Sequence, residues 1–142
     1  MSSSDWELRL HQIQQFEFDR VWPLAARWLS PALEHGDGAY TLDQLRLLVS
    51  LDRAYLLALS RGEEIVGALV VEIQRRPQYT VALVLSCGGR QIIKQGWHDF
   101  TQWAKAWGCS RIEAQATGPR LRLYESVGFR EVSTTIQHSL GG

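Results

Sequence analysis

The chain has 142 residues with 15 basic and 15 acidic side chains, so it fits one domain and offers no net charge to attract nucleic acid or an anionic membrane. A hydrophobic fraction of 45% with six Trp excludes a disordered polymer, and no apolar run has the length of a signal peptide or a membrane span. We expect a single soluble, cytoplasmic domain over residues 1–142, and its two Cys have the spacing of neither a disulfide framework nor a metal site.

The first third of the chain predicts a strand followed by two helices. ELRLHQI (7–13) alternates loosely, as in a half-buried strand. From about Glu17 apolar residues recur at helical spacing, and Pro23 should lie near the first turn, because deeper inside it would remove a backbone hydrogen bond. Thr41 to Gln44 has the S/T-x-x-E/Q form of a capping box, which predicts the start of the second helix.

The middle of the chain predicts three consecutive strands. Residues 55–60, 64–74 and 79–86 are rich in apolar and β-branched side chains and are separated by short polar turns. All three are apolar enough to be covered on both faces of a sheet.

The last third alternates helices with strands. Helical spacing returns from Gln91, and Gly108 is a natural helix end. Residues 111–116 then predict a strand, 120–128 a short helix and 129–140 a last strand. The order βααβββαβαβ needs crossovers near its end and hairpins in its middle, which predicts a mixed, mainly antiparallel sheet flanked by helices, of the α/β or α+β class.

The stretch LYESVGF (123–129) on the short helix has a purely structural interpretation. Leu123 packs the helix onto the sheet, Gly128 supplies a left-handed cap and Phe129 enters the core. Tyr124 is the one residue of the stretch that would separate catalysis from architecture.

The element order together with L-Y-E-x-x-G-F on the last helix resembles the GNAT superfamily of acyl-CoA-dependent N-acyltransferases, over essentially the whole chain. The resemblance implies acetyl-CoA as cofactor and an amine, of a small molecule or a peptide, as acceptor. It also implies that Tyr124 is the general acid that protonates the departing CoA thiolate. A phenol with a pKa near ~10 suits a thiol near ~8.5. GNAT domains often dimerise, and the last strand would offer an edge for a homodimer.

The same resemblance places the cofactor between YTVALVLS and RIEAQA, which splay apart and expose backbone groups to the pantetheine arm. The acyl group is then expected near Val84, Leu85 and Ser86. The loop that follows departs from the family pattern R/Q-x-x-G-x-G/A, because Gln91 and Ile93 stand at its two small-residue positions. This chain therefore has a degenerate pyrophosphate loop.

Four other residues around that loop remain candidates for binding the cofactor phosphates. They are Gly88, Gly89, Arg90 and Lys94. The glycines would form an anion-binding nest with charge from the other two, or they form a plain turn. Thr117, seven residues before Tyr124, is a further candidate on the opposite side of the pocket, and Arg120 stands where the family commonly has a small alanine.

A general base is less clearly marked. The strand YTVALVLS has no carboxylate, so Glu72 in the preceding strand and Glu113 in RIEAQA are the candidates, with a solvent-facing sheet edge as the alternative for both. Glu34, Asp37 and Asp43 lie around the loop that joins the first two helices. They would attract a cationic amine, or they belong to a polar loop and a helix cap.

A second interpretation of the whole chain is a catalytically inactive structural or interaction module. The degenerate loop favours it. The chain also resembles short GNAT-like proteins encoded in tailed phages and prophages, through W-P-L-A, YTLDQL, EIVGALV, WAK-x-x-GC and a final GF. That resemblance implies phage structural proteins as partners and the virion as location.

Overall fold

The computed structural model describes residues 8–34, 38–89, 91–116 and 119–141. The described elements, in chain order, are β1 (Leu8–Gln12), α1 (Phe18–Glu34), α2 (Leu42–Ser50), β2 (Tyr55–Arg61), β3 (Glu64–Arg75), β4 (Thr80–Gly88), α3 (Ile92–Ala106), β5 (Arg111–Ala114) and α4 (Pro119–Glu125). Up to the last helix this is the predicted order. Over these ranges no helix is long and apolar enough to cross a bilayer.

The strands form one five-stranded sheet in the order β1-β2-β3-β4-β5. The first three pairings are antiparallel and only β4 with β5 is parallel. The parallel pair is joined by the crossover helix α3, since neighbouring parallel strands cannot be linked by a tight turn. The predicted mixed, mainly antiparallel sheet flanked by helices is confirmed.

Local sequence signals account for where the first two helices begin. The Thr41 hydroxyl accepts a hydrogen bond from the Gln44 N–H at 3.2 Å, and the Gln44 side chain accepts one from the Thr41 N–H at 2.9 Å, which is the predicted capping box. A 3₁₀ turn at Gln15–Glu17 leads into α1. Pro23 is the sixth residue of α1 and so lies in its second turn, one turn later than predicted.

Each face of the sheet is covered by its own helices. Helices α1 and α2 pack on one face, against side chains such as Leu56, Ala58 and Val70. Helices α3 and α4 pack on the other, against Leu57 and Leu59 among others. The alternation along β2 explains this division, because successive side chains of a strand point to opposite faces.

The two edges of the sheet differ. Along β1, helix α3 supplies polar side chains: Asp99 accepts a hydrogen bond from the Leu10 N–H at 3.0 Å, and the Trp103 indole N–H donates to the Gln12 side chain at 2.9 Å. Strand β5 has four residues and pairs only with β4 among the described strands. The edge formed by β5 is therefore the open one.

The predicted last strand over 129–140 is wrong. Residues 129–141 form neither helix nor strand, and every residue from Arg130 to Gly141 is exposed. The segment has the residue types of a strand, but strand formation needs a pairing partner, and the described sheet of the same chain provides none to it.

Candidate functional site

The site begins where β4 and β5 part. Their parallel pairing runs from Val81 opposite Arg111 to Val84 opposite Ala114, whereas β4 continues to Gly88. On the β3 side, Val84 and Ser86 lie opposite consecutive residues, so Leu85 is an extra residue that bends the strand. Beyond Val84, the β5 side of β4 has no strand partner in the described parts of the chain, which leaves peptide groups for another ligand.

Tyr124 lies beside this unpaired part of β4. Its side chain is only 6% exposed, and its ring contacts that of Phe129 edge-on at 4.9 Å between centroids. The Phe129 N–H donates to the Tyr124 carbonyl at 3.2 Å, with Gly128 at a φ of 104°. The predicted glycine cap is thus confirmed, and it folds Phe129 back over the tyrosine.

The Tyr124 and Cys87 side chains line the same small cavity, close enough for each to affect the pKa of the other. Burial raises the pKa of the Cys87 thiol to about 12, although the nearby Arg120 charge and the Tyr124 hydroxyl act in the other direction. Burial, with a smaller contribution from Cys87, also raises the pKa of Tyr124. Both groups are therefore protonated at neutral pH, because desolvation disfavours their anions.

Little free space remains around this pair. A cavity of about 10 Å³ is lined by Leu69, Val84, Cys87, Ile92, Ile93, Trp97, Phe100, Ile112, Tyr124 and Phe129. The exposed Arg120 side chain, from the first turn of α4, donates a hydrogen bond to the Cys87 carbonyl at 3.3 Å. Arg120 thus occupies one of the peptide acceptors that the parting of β4 and β5 leaves available.

Ser86 has an unusual environment. Its side chain is 7% exposed, and its hydroxyl has no hydrogen-bond partner among the residues that the structure describes. Because it lies opposite Val70, whose side chain is in the α1 and α2 core, the Ser86 side chain is on that face of the sheet. A buried, unpaired hydroxyl costs about 1–3 kcal/mol, so a ligand that bonds to it would recover that energy.

The two glycines of the loop are explained by packing. A side chain at Gly88 would overlap the carbonyl oxygen of Trp28 in α1, and one at Gly89 would lie 2.7 Å from the Gly67 Cα of β3. Gly88 is the last residue of β4, and Gly89 has a φ of 117°. Close approach of neighbouring backbones therefore accounts for both glycines without a phosphate ligand.

Of the remaining predicted phosphate contacts, Lys94 is exposed in the first turn of α3. Ile93, which stands at a small-residue position of the family pattern, is buried in the α3 core. Arg90 and Thr117 lie outside the described residues. The structure thus leaves Lys94 as the one described cation of the predicted set.

The two candidate bases lie on the opposite face from Tyr124. Glu72 alternates with Val71 and Ile73, and Glu113 with Ile112 and Ala114, all on the α3 face, so both carboxylates face α1 and α2. They belong to one polar group on that face. Arg76 donates to both oxygens of Glu113, at 3.1 and 3.3 Å, and the Gln74 amide donates to Glu72 at 2.6 Å.

A larger open cavity of about 400 Å³ includes Glu72 in its lining. Its residues are Asp52, Arg53, Tyr55, Glu72, Ile73, Arg75 and Trp107. It forms because β3 continues past the start of β2, which pairs Tyr55 with Val71. Only Glu72 of this set was found from the sequence, since the other residues come from a loop, a strand end and a helix end that only folding brings together.

Of the acidic residues proposed for the acceptor, the two that the structure describes line neither cavity. Glu34 is exposed at the end of α1, Asp43 is exposed in the first turn of α2, and Asp37 lies outside the described residues. Asp43 sits at a helix N-terminus, where a carboxylate is favourable in any protein. Throughout the described ranges no group of His, Cys, Asp and Glu has the arrangement of a metal site.

No protein-family model matches the chain, and no curated protein matches its sequence. Solved structures do match its fold. An aminoglycoside acetyltransferase from an uncultured soil metagenomic sample has a TM-score of 0.71 with 19% identity, over 95% of this chain and 99% of that chain.

Two further acetyltransferases match over nearly their full length. The aminoglycoside enzyme AAC(6')-Iy, in complex with the bisubstrate analogue CoA-S-monomethyl-acetylneamine, has a TM-score of 0.68 with 13% identity, over 96% of this chain and 99% of that chain. The ribosomal-protein-alanine N-acetyltransferase of Brucella melitensis biovar Abortus 2308 has a TM-score of 0.70 with 15% identity, over 94% and 99%. The chain therefore shares the fold of acetyltransferases.

Proposed function

We propose that the protein is a GNAT-type N-acetyltransferase that transfers the acetyl group of acetyl-CoA to a cationic amine. The observation that carries the proposal is the unpaired end of β4, from Leu85 to Cys87, beside the buried and protonated Tyr124. Peptide groups that diverge from their neighbouring strand are suited to bind an amide-containing chain such as pantetheine.

The described residues fit the thioester arm of such a cofactor better than its diphosphate. The Ser86 hydroxyl has no protein partner in the described structure, and beyond Val84 the peptide groups of β4 have no strand partner on the β5 side, where Arg120 bonds the Cys87 carbonyl. Packing against α1 and β3 already requires glycine at positions 88 and 89. Acetyl-CoA, when bound, supplies the activated acetyl group. The chain contributes hydrogen bonds from β4, and Lys94 contributes charge toward the phosphates.

Tyr124 would hold a proton near the sulfur of the bound thioester. Because burial raises its pKa, the phenol stays protonated across the working pH range and donates a hydrogen bond to a departing thiolate. In the free protein that hydroxyl interacts with Cys87, so the ligand sulfur would take over a position next to the thiol.

For the general base we favour Glu72 over Glu113. Both oxygens of Glu113 accept hydrogen bonds from Arg76, which holds the carboxylate as a structural ion pair. Glu72 accepts from an amide, is half-buried and lines the 400 Å³ cavity. That cavity has room for a small amine, and its lining carries two carboxylates, Asp52 and Glu72, together with two arginines, Arg53 and Arg75.

The acetyltransferases of similar fold act on aminoglycosides and on a ribosomal-protein alanine. For this chain we propose a small-molecule amine, because the cavity at Glu72, of about 400 Å³, has the size of a small-ligand site. An aminoglycoside panel and a peptide with N-terminal alanine are the two acceptor sets to compare.

Acetyl-CoA binding is the first test. A ligand at about 100 times its Kd adds roughly 2.7 kcal/mol to the free energy of unfolding, which raises the Tm measurably. We expect a higher Tm with millimolar acetyl-CoA. An unchanged Tm at that concentration would overturn the proposed function.

The Tyr124→Phe variant tests the role of the hydroxyl. We expect a transfer rate lower by about 10²-fold, the usual contribution of a positioned proton donor, with the Tm within a few degrees of the wild type. Tyr40→Phe is the matched control, because it removes the same group on the α1 and α2 side of the sheet. Equal rates for the two variants would exclude Tyr124 as the proton donor.

A second candidate function is an interaction module that does not use acetyl-CoA, which is the role implied by the resemblance to GNAT-like proteins of tailed phages. The observation that favours it is the small volume around Tyr124, with Arg120 already bonded to the Cys87 carbonyl. Recovery of the protein in stoichiometric complex with a larger assembly, together with an unchanged Tm in acetyl-CoA, would decide for it.

A further inference from the structure

The cavity at Glu72 lies in a gap beside the last residues of β3. This strand runs on to Arg75, whereas its pairing with β2 ends where Tyr55 lies opposite Val71. On the β2 side, residues 72–75 therefore have no strand partner in the described ranges, which leaves peptide groups of β3 at the cavity. The cavity of about 400 Å³ is lined by Asp52, Arg53, Tyr55, Glu72, Ile73, Arg75 and Trp107. A ligand of this size would meet both backbone groups and charged side chains.

Two arginines of this lining form no ion pair within the described part of the chain. The described ion pairs use Arg20, Arg46 and Arg76, and all three have their partners outside the cavity. Arg53 and Arg75 are exposed at the cavity, although two carboxylates belong to the same lining. A guanidinium group binds a carboxylate through two parallel hydrogen bonds. The lining therefore keeps two groups available for a ligand anion.

The two carboxylates of the lining are held in position. The Gln15 amide donates a hydrogen bond to Asp52 at 2.8 Å, and the Gln74 amide donates one to Glu72 at 2.6 Å. Amide donors orient a carboxylate without cancelling its charge. Asp52 also has a φ of 57°, and among the described residues it is the one non-glycine with a positive φ. It follows the C-cap of α2, where glycine is the usual residue, so the chain places a charge where a glycine would serve the helix.

The positive and negative groups lie on different sides of the sheet edge. Glu72 is on the α1 and α2 face, and Asp52 directly follows the C-cap of α2. Arg75 alternates in phase with Ile73, which packs on the α3 face. A ligand that fills the cavity would therefore have its cationic group toward α2 and its anionic group toward α3.

An aromatic wall lies on the α3 side of the cavity. The Tyr55 and Trp107 rings are 4.6 Å apart between centroids, and both side chains are half-buried. Ile73, also half-buried, adds an aliphatic group to the same lining. Aromatic and aliphatic surface at a cavity is suited to pack against the apolar part of a ligand. The side of the cavity that holds Arg75 thus has a place for an apolar group as well as for an anion.

We propose that the cavity at Glu72 binds a compact amino-carboxylate, such as an α-amino acid with an apolar side chain. Its ammonium group lies toward Asp52 and Glu72, its carboxylate lies toward Arg75, and its apolar side chain packs on the aromatic wall. A plain amine would leave both arginines without an anion, and a plain acid would leave both carboxylates without a cation. That the bound amino-carboxylate is the acceptor of the acetyl group rests on the proposed function, whereas its binding does not.

Titration calorimetry tests the recognition of both charges. The probes are L-phenylalanine, L-leucine and L-tryptophan, each compared with its decarboxylated amine and with the acid that lacks the amino group. We expect at least one of the amino acids to bind, and both of its truncated analogues to bind about tenfold more weakly or worse, because each analogue loses one charged contact. Equal affinities within every such set, or no binding of the three amino acids at millimolar concentration, would overturn the proposal.

Arg75→Gln tests the carboxylate end of the ligand. We expect the variant to lower the affinity for the amino acid about tenfold or more, and to leave the affinity for the decarboxylated amine within about twofold. Arg61→Gln is the matched control, because it removes an exposed arginine at the other end of β2, outside the lining. Asp52→Asn tests the ammonium end: it should weaken the binding of both ligands, while asparagine retains the tolerance for a positive φ. An Arg75→Gln variant that behaves like Arg61→Gln would exclude the proposed carboxylate contact.

Acetyl transfer separates this inference from the proposed function. With acetyl-CoA, we expect kcat/KM for the bound amino acid to exceed that for its decarboxylated amine by about tenfold or more. Equal kcat/KM values would overturn the amino acid as the acceptor and leave the proposed function standing. Arg75-dependent binding of an amino acid without any transfer, and without a Tm shift in acetyl-CoA, would overturn the proposed function and leave the binding inference standing.

Discussion

Three side chains at the end of β4 determine what the candidate site can do. Tyr124 and Cys87 are buried next to each other and both protonated, and the exposed Arg120 side chain donates a hydrogen bond to the Cys87 carbonyl. Each of these residues has ordinary chemistry taken alone. Their combination decides whether a thioester arm enters, because the ligand must compete for the same peptide groups and the same hydroxyl.

Arg120→Ala should make the site easier to enter. The variant removes a hydrogen bond to the Cys87 carbonyl from a largely exposed side chain, so we expect a Kd lower by about threefold to tenfold for a ligand that uses this carbonyl. Acetyl-pantetheine is the suitable probe, since it has the thioester arm but no phosphate group that could form an ion pair with Arg120. Titration calorimetry measures the Kd.

Arg122→Ala is the matched control, because it removes an arginine from the last turn of the same helix without a described contact to Cys87. Weaker binding of acetyl-pantetheine by the Arg120 variant, with no change in the control, would show that Arg120 belongs to the binding site and does not compete for it.

The buried Cys87 thiol should make the fold sensitive to alkali. Its pKa is about 12 in the folded protein and near ~8.5 in an unfolded chain, so its stabilising effect is complete below pH ~8.5 and is lost as the pH rises toward 12. The loss approaches ~1.4 kcal/mol per pH unit. Urea unfolding at pH 8 and pH 10 should show that the wild type loses about 1–2 kcal/mol more than Cys87→Ala.

Cys109→Ala is the comparison for this effect, since Cys109 is half-exposed. It should change the alkaline slope less than Cys87→Ala does. Identical slopes for wild type and Cys87→Ala would contradict the burial of the thiol.

At the scale of elements, the junction of β4 with α1 and β3 is the tightest described contact involving a glycine. The α1 backbone at Trp28 lies directly against Gly88, and the β3 backbone at Gly67 lies against Gly89. The Trp28 indole N–H also donates to the Ile65 carbonyl of β3 at 3.0 Å. These contacts hold the end of β4, and with it the unpaired peptide groups, in one position.

Gly88→Ala should therefore destabilise the protein. Its Cβ would overlap backbone atoms of α1, which cannot move as a flexible side chain can, so we expect a loss of about 2–4 kcal/mol in urea unfolding. Gly96→Ala is the matched control: its Cβ meets Leu10 at an ordinary 3.6 Å, and alanine favours a helix interior by roughly 0.5–1 kcal/mol. Equal stabilities for the two variants would contradict the tight junction.

At the scale of the whole molecule, much of the fold was predictable because its signals are local. The capping box at Thr41 and the glycine end at Gly128 each depend on a few neighbouring residues, and both are confirmed. The strand over 129–140 was the failure, because its residue types predict a strand but cannot say whether an edge is within reach. The roles of the candidate site residues stay predictions, and the structure shows which side chains each of them contacts and how deeply it is buried.

The sequence by itself determined the element order up to the last helix and the mixed sheet, because periodicity, capping and turn chemistry act over a few residues at a time. The acetyltransferase-like fold was expected from the resemblance to a known superfamily. Only the tertiary structure decided that Arg120 reaches the Cys87 carbonyl, and that close packing against α1 and β3 requires glycine at positions 88 and 89. It also decided that Glu72 and Glu113 lie on the face opposite Tyr124, and that residues 130–141 pair with no described strand. Those facts depend on contacts between residues far apart in the chain. Such contacts are set by how the helices pack on the two faces of the sheet.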